Sequence, residues 1–171
     1  MAGTWTRVGE GKDESDLSEE DKLKQQQIPG IEDPHPVGAS YRGSGTASSS
    51  QLRFSGSWGN ITDPEKAVDV AFQKETESAQ QTGARYKIEP QGSPQKFTPT
   101  GFDGTVMKCQ VFKVISGTES GQLPLCIWGD SSTVAEVTVL AKTPAESRAL
   151  TLERVAEVAA AVRKDTRVPT S

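Results

Sequence analysis

From Val37 to Leu140 apolar side chains recur at every second position in one short segment after another, and this alternation, more than any other feature, limits what the chain can fold into. A period of two places one side of a pleated strand against a core and leaves the other to solvent. Val37, Ala39 and Tyr41 follow it, as do Leu52, Phe54, Gly56 and Trp58. Further strand segments are expected around Arg85–Glu89, Gly104–Ile115, Leu123–Trp128 and Thr133–Leu140, separated by Gly- and Pro-containing links. Those links are too short for parallel crossovers, so the strands are expected to run antiparallel. Two interruptions read as helices. Asp63, Pro64 and Glu65 supply an N-cap, a first-turn proline and a first-turn acid, and Val68, Ala71, Phe72 and Ala79 recur at helical spacing up to about Gln80. Thr143, Pro144 and Glu146 mark a second start, followed by Leu152, Val155, Ala159 and Val162 on one face, with Arg163, Lys164 and Arg167 at the negative end. A short N-terminal helix is expected where Ser18 caps SEEDKLKQQQ. The fold class predicted is α+β: a mainly antiparallel sheet of about five to six strands packed by two main helices.

The first fifty residues do not share in this pattern. They hold 12 of the apolar residues, against 45 in the rest of the 171-residue chain, and so bury little surface to offset the entropy of ordering. Residues 1–40 carry nine acidic and four basic side chains, which accounts for the net charge of −4. We therefore divide the chain into an acidic, partly flexible leader or tether over residues 1–35, a single domain over 36–168 and a short tail over 169–171. The DPHP segment, Asp33 to Pro36, reads as a stiff joint between leader and domain. A pI near 5.1, with no aromatic residues interleaved among basic ones, argues against a nucleic-acid partner. No apolar run reaches the length of a membrane span, and Gly3, Thr4, Trp5 and Thr6 after Met1 do not form a signal peptide. The chain as it stands is expected to be a soluble monomer, touching a membrane only through a segment that it lacks.

The chemistry-bearing residues are few. Cys109 in TVMKCQVF and Cys126 in PLCIWGD lie in consecutive strand segments, where they meet as a cross-strand disulfide or remain as two buried thiols; spacing alone does not decide between the two. The single histidine, His35, lies in the Pro-flanked joint and gives a nucleophilic triad no support. The acidic run DESDLSEED lacks the glycine and the ligand spacing of a calcium loop, so no metal and no cofactor is expected. GSGT near residue 43 does not match a phosphate-binding loop. Asp63 and Asp130 read as a helix cap and a turn. Asn60, Ile61 and Thr62 form a glycosylation triplet, which is read as chance. Trp58 and Trp128 each end an apolar strand face and read as core or core-rim residues. The alternative is surface recognition, and Trp58, Trp128 and Asp130 are the candidates for it. No catalytic residue is assigned, and the chain is expected not to be an enzyme.

Three stretches, SGSWGNITDPEKAVDVAF, GSPQKFTPTGFDGTVMKCQVF and PLCIWGDSSTVAEV, followed by a helix ending RKDTRV, together resemble the extracellular portion of uncharacterised membrane-anchored or lipoprotein-like proteins of streptomycetes and related actinobacteria. The likeness covers Gln51 to Val168, with a weaker echo in PHPVGASY. In that family a polar cytoplasmic tail and one transmembrane helix precede such a domain; this chain has neither, as a trimmed ectodomain would. The resemblance implies an oxidising compartment, and with it a Cys109–Cys126 bond and a place at the extracellular face of the membrane or in the medium, with the cytoplasm as the alternative. The role expected is a non-enzymatic cell-surface or secreted module that binds a protein or cell-envelope component. Alternatives are a secreted enzyme inhibitor or immunity-type protein, and a hydrolase built from dispersed carboxylates.

Overall fold

In a computed structural model of the chain, residues 5–12, 30–43, 50–80, 86–141 and 143–166 are described. They form an α+β fold of seven strands: β1 (Trp5–Lys12), β2 (Ile31–Gly43), β3 (Gln51–Ile61), β4 (Lys87–Lys96), β5 (Val106–Ser116), β6 (Glu119–Gly129) and β7 (Thr133–Leu140). The strands make one sheet in the order β1-β2-β3-β7-β6-β5-β4, and every pairing is antiparallel. Helix α1 (Pro64–Gln80) leaves the middle of the sheet after β3 and delivers the chain to β4 at the far edge. From there β4 to β7 return as a meander, and β7 closes against β3. Two further helices follow, α2 (Pro144–Ala149) and α3 (Leu152–Thr166).

The sheet is buried on both faces by helices of opposite sides, giving two cores. On one, Ala67, Val68, Phe72 and Ala79 of α1 pack against Phe112, Leu125, Ile127 and Val134. On the other, Val155, Ala156, Ala159 and Val162 of α3 pack against Met107, Cys109, Cys126, Trp128, Val137 and Leu52. This two-sided cover explains why β6 ends in a continuous apolar run, Leu125 to Trp128, rather than an alternating one. Gly129 lets α1 come close: a Cβ there would sit 2.8 Å from the Pro64 carbonyl oxygen and 2.9 Å from Val68. The main helix contacts fall on β4 to β7, while β3 and β2 still send Leu52, Phe54, Val37, Ala39 and Tyr41 to the α3-side core.

Seven strands stand where five to six were expected. The additional one, β1, comes from the acidic leader and pairs with β2 from Trp5↔Gly43 to Val8↔Ser40. Its sequence, WTRVGEGK, offers only Trp5 and Val8 as apolar residues. An edge strand needs a ladder partner rather than a buried face, so hydrophobic patterning does not reveal it. The strand expected at Arg85–Glu89 runs instead from Lys87 to Lys96, its two prolines tolerated because β4 is the other edge. The single C-terminal helix is two: Thr143 caps α2 in a capping box with Glu146, and Thr151 Oγ1 accepts from Arg154 N to start α3 anew. The helix expected at Ser18 lies outside the described residues.

The joint at Asp33–Pro36 is itself part of β2. Glu32 pairs with Asn60 and His35 with Trp58, so Asp33 and Pro34 together oppose Gly59 alone. This is a β-bulge. Asp33 takes a left-handed φ of +52°, which a short polar side chain tolerates, and Pro34 has no N–H to leave unpaired. Gly59 is required opposite, since a Cβ would lie 2.6 Å from the Glu32 carbonyl oxygen. The extra residue reverses which face the strand presents. Ile31, before the bulge, enters the α1-side core, whereas Val37, Ala39 and Tyr41, after it, lie against the α3-side core.

Candidate functional site

The bulge turns His35 onto the same face as Trp58, its partner across β2 and β3. The two rings stack with centroids 4.1 Å apart and planes inclined by 20°. Trp58 remains 51% exposed, more than any other large apolar residue among those described. Asp33 Oδ2 lies 3.3 Å from His35 Nε2, and Asn60 Nδ2 donates to Glu32 Oε2 at 2.9 Å, so carboxylates and an amide stand beside the stacked pair. An indole held by a neighbouring ring, on two hydrogen-bonded strands, is a preformed contact surface. Binding there orders little that is not already ordered.

The other two surface candidates have different places. Trp128 is 1% exposed, stacked on Phe54 at 5.8 Å in the α3-side core, so its expected alternative as a recognition residue is corrected: it is a packing residue. It is drawn inward because β6 lies beneath α3, whereas β3 carries Trp58 past the end of that cover. Asp130 is a turn residue, as first read. Its Oδ1 accepts from Ser132 N and Thr133 N at 2.9 Å, and its Oδ2 accepts from Arg163 Nη2 at 2.7 Å. Asp63 caps α1, accepting from Lys66 N at 3.0 Å.

Cys109 and Cys126 are register partners on β5 and β6, with Cα atoms 4.1 Å apart, and they are joined by a disulfide. Both are fully buried beneath α3.

Two constellations escaped the sequence. Arg163 points from α3 into the fold with its side chain 6% exposed, donating to Asp130 and to Asp103 and lying 5.7 Å from the Phe102 ring centroid. The signal was present, because Arg163 follows Val155 and Ala159 by eight and four residues, on the buried stripe. The second is a carboxylate pair between α1 and the sheet. Glu136 on β7 accepts from Ser55 Oγ on β3 at 2.6 Å. Burial pushes its carboxyl up, the Ser55 bond only partly opposing this. Burial and the nearby charge of Glu136 together push Glu75 of α1 up to about 7. No sequence signal joins residues 61 positions apart; only the packing of α1 on β7 does.

An open depression of about 620 Å³ lies elsewhere, between the β5–β6 hairpin and the start of α2, lined by residues such as Lys113, Glu119, Gln122, Leu140 and Ser147. Neither Glu75 nor Glu136 lines it. Among the described residues no group of three or more His, Cys, Asp or Glu is placed to hold a metal ion, and no helix is long and apolar enough to cross a membrane. Comparison with protein-family models, with curated proteins and with solved structures finds no match.

Proposed function

We propose that the chain is a non-enzymatic, disulfide-stabilised module, exported to the outer face of the cell or secreted, that binds a protein or cell-envelope component through the β2–β3 surface centred on Trp58 and His35. The observation that carries this reading is a large indole half open to solvent yet locked by a stack and by two strands. Exposed aromatic anchors of this kind dominate binding energy where they occur. The bulge at Asp33 and Pro34 supports it, since such bulges re-aim side chains at functional sites. The buried Cys109–Cys126 bond supports export, because disulfides persist in oxidising compartments. Sedimentation with isolated bacterial cell envelopes tests the reading. The wild type is expected to co-sediment, and Trp58→Ala to lose most of that binding while unfolding at the same temperature; equal retention of both would overturn it. Two free thiols in protein purified from its native host would remove the exported part.

A second reading, a hydrolase of dispersed carboxylates, has one observation behind it: Glu75 and Glu136 converge, with one carboxyl raised to about 7 as a general acid requires. Turnover of chromogenic ester or glycoside substrates that disappears in Glu136→Gln would establish it, and no turnover by the wild type would set it aside.

A further inference from the structure

We propose that the ligand of the Trp58–His35 surface is an uncharged polysaccharide, bound by laying one pyranose ring against the exposed indole. The inference rests on the binding reading above and narrows it to a chemical class. Three observations lead to it. His35 stacks on one face of the indole, and the 51% of Trp58 that stays exposed lies on its other face and edge, a single flat ring that matches a ring-shaped ligand with an apolar face better than a side chain that needs a pocket. Its neighbours are hydrogen-bonding rather than apolar: Asp33, its side chain 92% exposed, lies against His35, and the bonded pair Glu32 and Asn60 is the next cross-strand pair beyond the bulge. Carboxylates accept from hydroxyl groups, which an uncharged sugar carries around its ring, and an amide both donates and accepts. The same two carboxylates repel phosphate or uronate groups, which removes nucleic acid and acidic polymers from the class.

The elements fit the task. Asp33 and His35 are presented by one bulge and Trp58 and Asn60 by the strand opposite, so ring and rim are fixed relative to each other by the β2–β3 ladder. A stack on one indole together with a few exposed hydrogen bonds supports weak affinity, of the order of 0.1–1 mM per site, which a long polymer or an array of copies strengthens.

Isothermal titration of the full chain with N-acetylchitohexaose, laminarihexaose, cellohexaose and maltohexaose tests the proposal, alongside co-sedimentation with envelopes digested by proteinase K. Binding of at least one oligosaccharide is expected, weakened by about tenfold or more in Trp58→Ala and less in Trp58→Phe, with retention on digested envelopes. An oligosaccharide that binds Trp58→Ala as well as the wild type overturns the site. If no oligosaccharide binds and proteinase treatment abolishes a Trp58-dependent retention, the saccharide class fails while the binding reading survives with a protein partner. If nothing binds before or after digestion, both fail.

Discussion

Arg163 shows how one buried charge is made tolerable. A guanidinium 6% exposed carries a desolvation cost of several kcal/mol, which two carboxylates, Asp130 and Asp103, and the face of Phe102 offset. Asp130 in turn organises the β6–β7 turn through Ser132 and Thr133, so a single carboxylate ties that turn to the last turns of α3. We expect Arg163→Ala to lower stability by about 2–4 kcal/mol, because it removes a buried stem and leaves Asp130 without its counter-charge; a denaturant midpoint within error of wild type would refute this. Arg163→Met, which keeps the stem and the packing, should cost less. At the same scale Trp58 and Trp128 illustrate what a strand pattern does and does not specify. Both sit where an alternating face places an indole toward the α3 side, yet one is 51% and the other 1% exposed. Their separation depends on how far α3 reaches across the sheet, and a 15-residue helix over β5 to β7 covers only one of them.

At the scale of elements, β5 and β6 are joined twice, by a ladder and by a disulfide. Their register is unbroken from Val106↔Gly129 to Ser116↔Glu119, and the Cys109–Cys126 bond spans it under α3. Closing a loop of 17 residues restricts the unfolded chain by about 3 kcal/mol. Reduction, or the paired change of both cysteines to alanine, is therefore expected to lower the stability by roughly that amount, read from urea unfolding with and without reductant. The contact of α1 with the sheet carries a different signature. Glu75, whose carboxyl rises from 4.5 to about 7 on folding, binds its proton more tightly in the native state than in the unfolded one. Its contribution is thus fully present below about pH 4.5 and is lost as pH rises through 7, with Glu136 shifted in the same direction. Because Glu75 is only partly buried, we expect the loss between pH 5 and 8 to be about 1–2 kcal/mol. Glu75→Gln should flatten that slope in urea titrations at pH 5, 6, 7 and 8; an unchanged slope would assign the pH dependence to other groups. Lys108 of β5 meets two acids of the same helix, Asp69 at 2.5 Å and Glu65 at 3.3 Å. Burial of Lys108 opposes its charge, and the two acids outweigh it.

For the molecule as a whole, the order β1-β2-β3-β7-β6-β5-β4 puts the strands covered by both helices toward one side of the sheet and the binding face proposed here toward the other. Hydrogen exchange should follow this asymmetry. The slowest amides are expected in β5, β6 and β7 and the fastest strand amides in the edges β1 and β4; protection of β1 equal to that of β6 would contradict the layering. Much of this was legible in the chain itself. Asp63, Pro64 and Glu65 set the start of α1, and alternation located β3, β5, β6 and β7, because capping and a period of two are local properties that any surroundings must respect. The antiparallel order followed from short links. Three things were not local. β1 exists because β2 offers it a ladder, and its own residues carry almost no apolar pattern. The DPHP segment, stiff in isolation, becomes a bulge only because Gly59 lies opposite and admits the extra residue, and that bulge alone brings His35 to Trp58. Glu75 and Glu136 meet only where α1 lies on the sheet. The sequence by itself determined the start of α1, the strands β3, β5, β6 and β7 and the proximity of two cysteines on neighbouring strands, since these depend on residues close along the chain. Tertiary structure decided the sulfur bond, the face each ring occupies and which charges share a site, since burial is a property of what packs above a residue rather than of its neighbours in the chain.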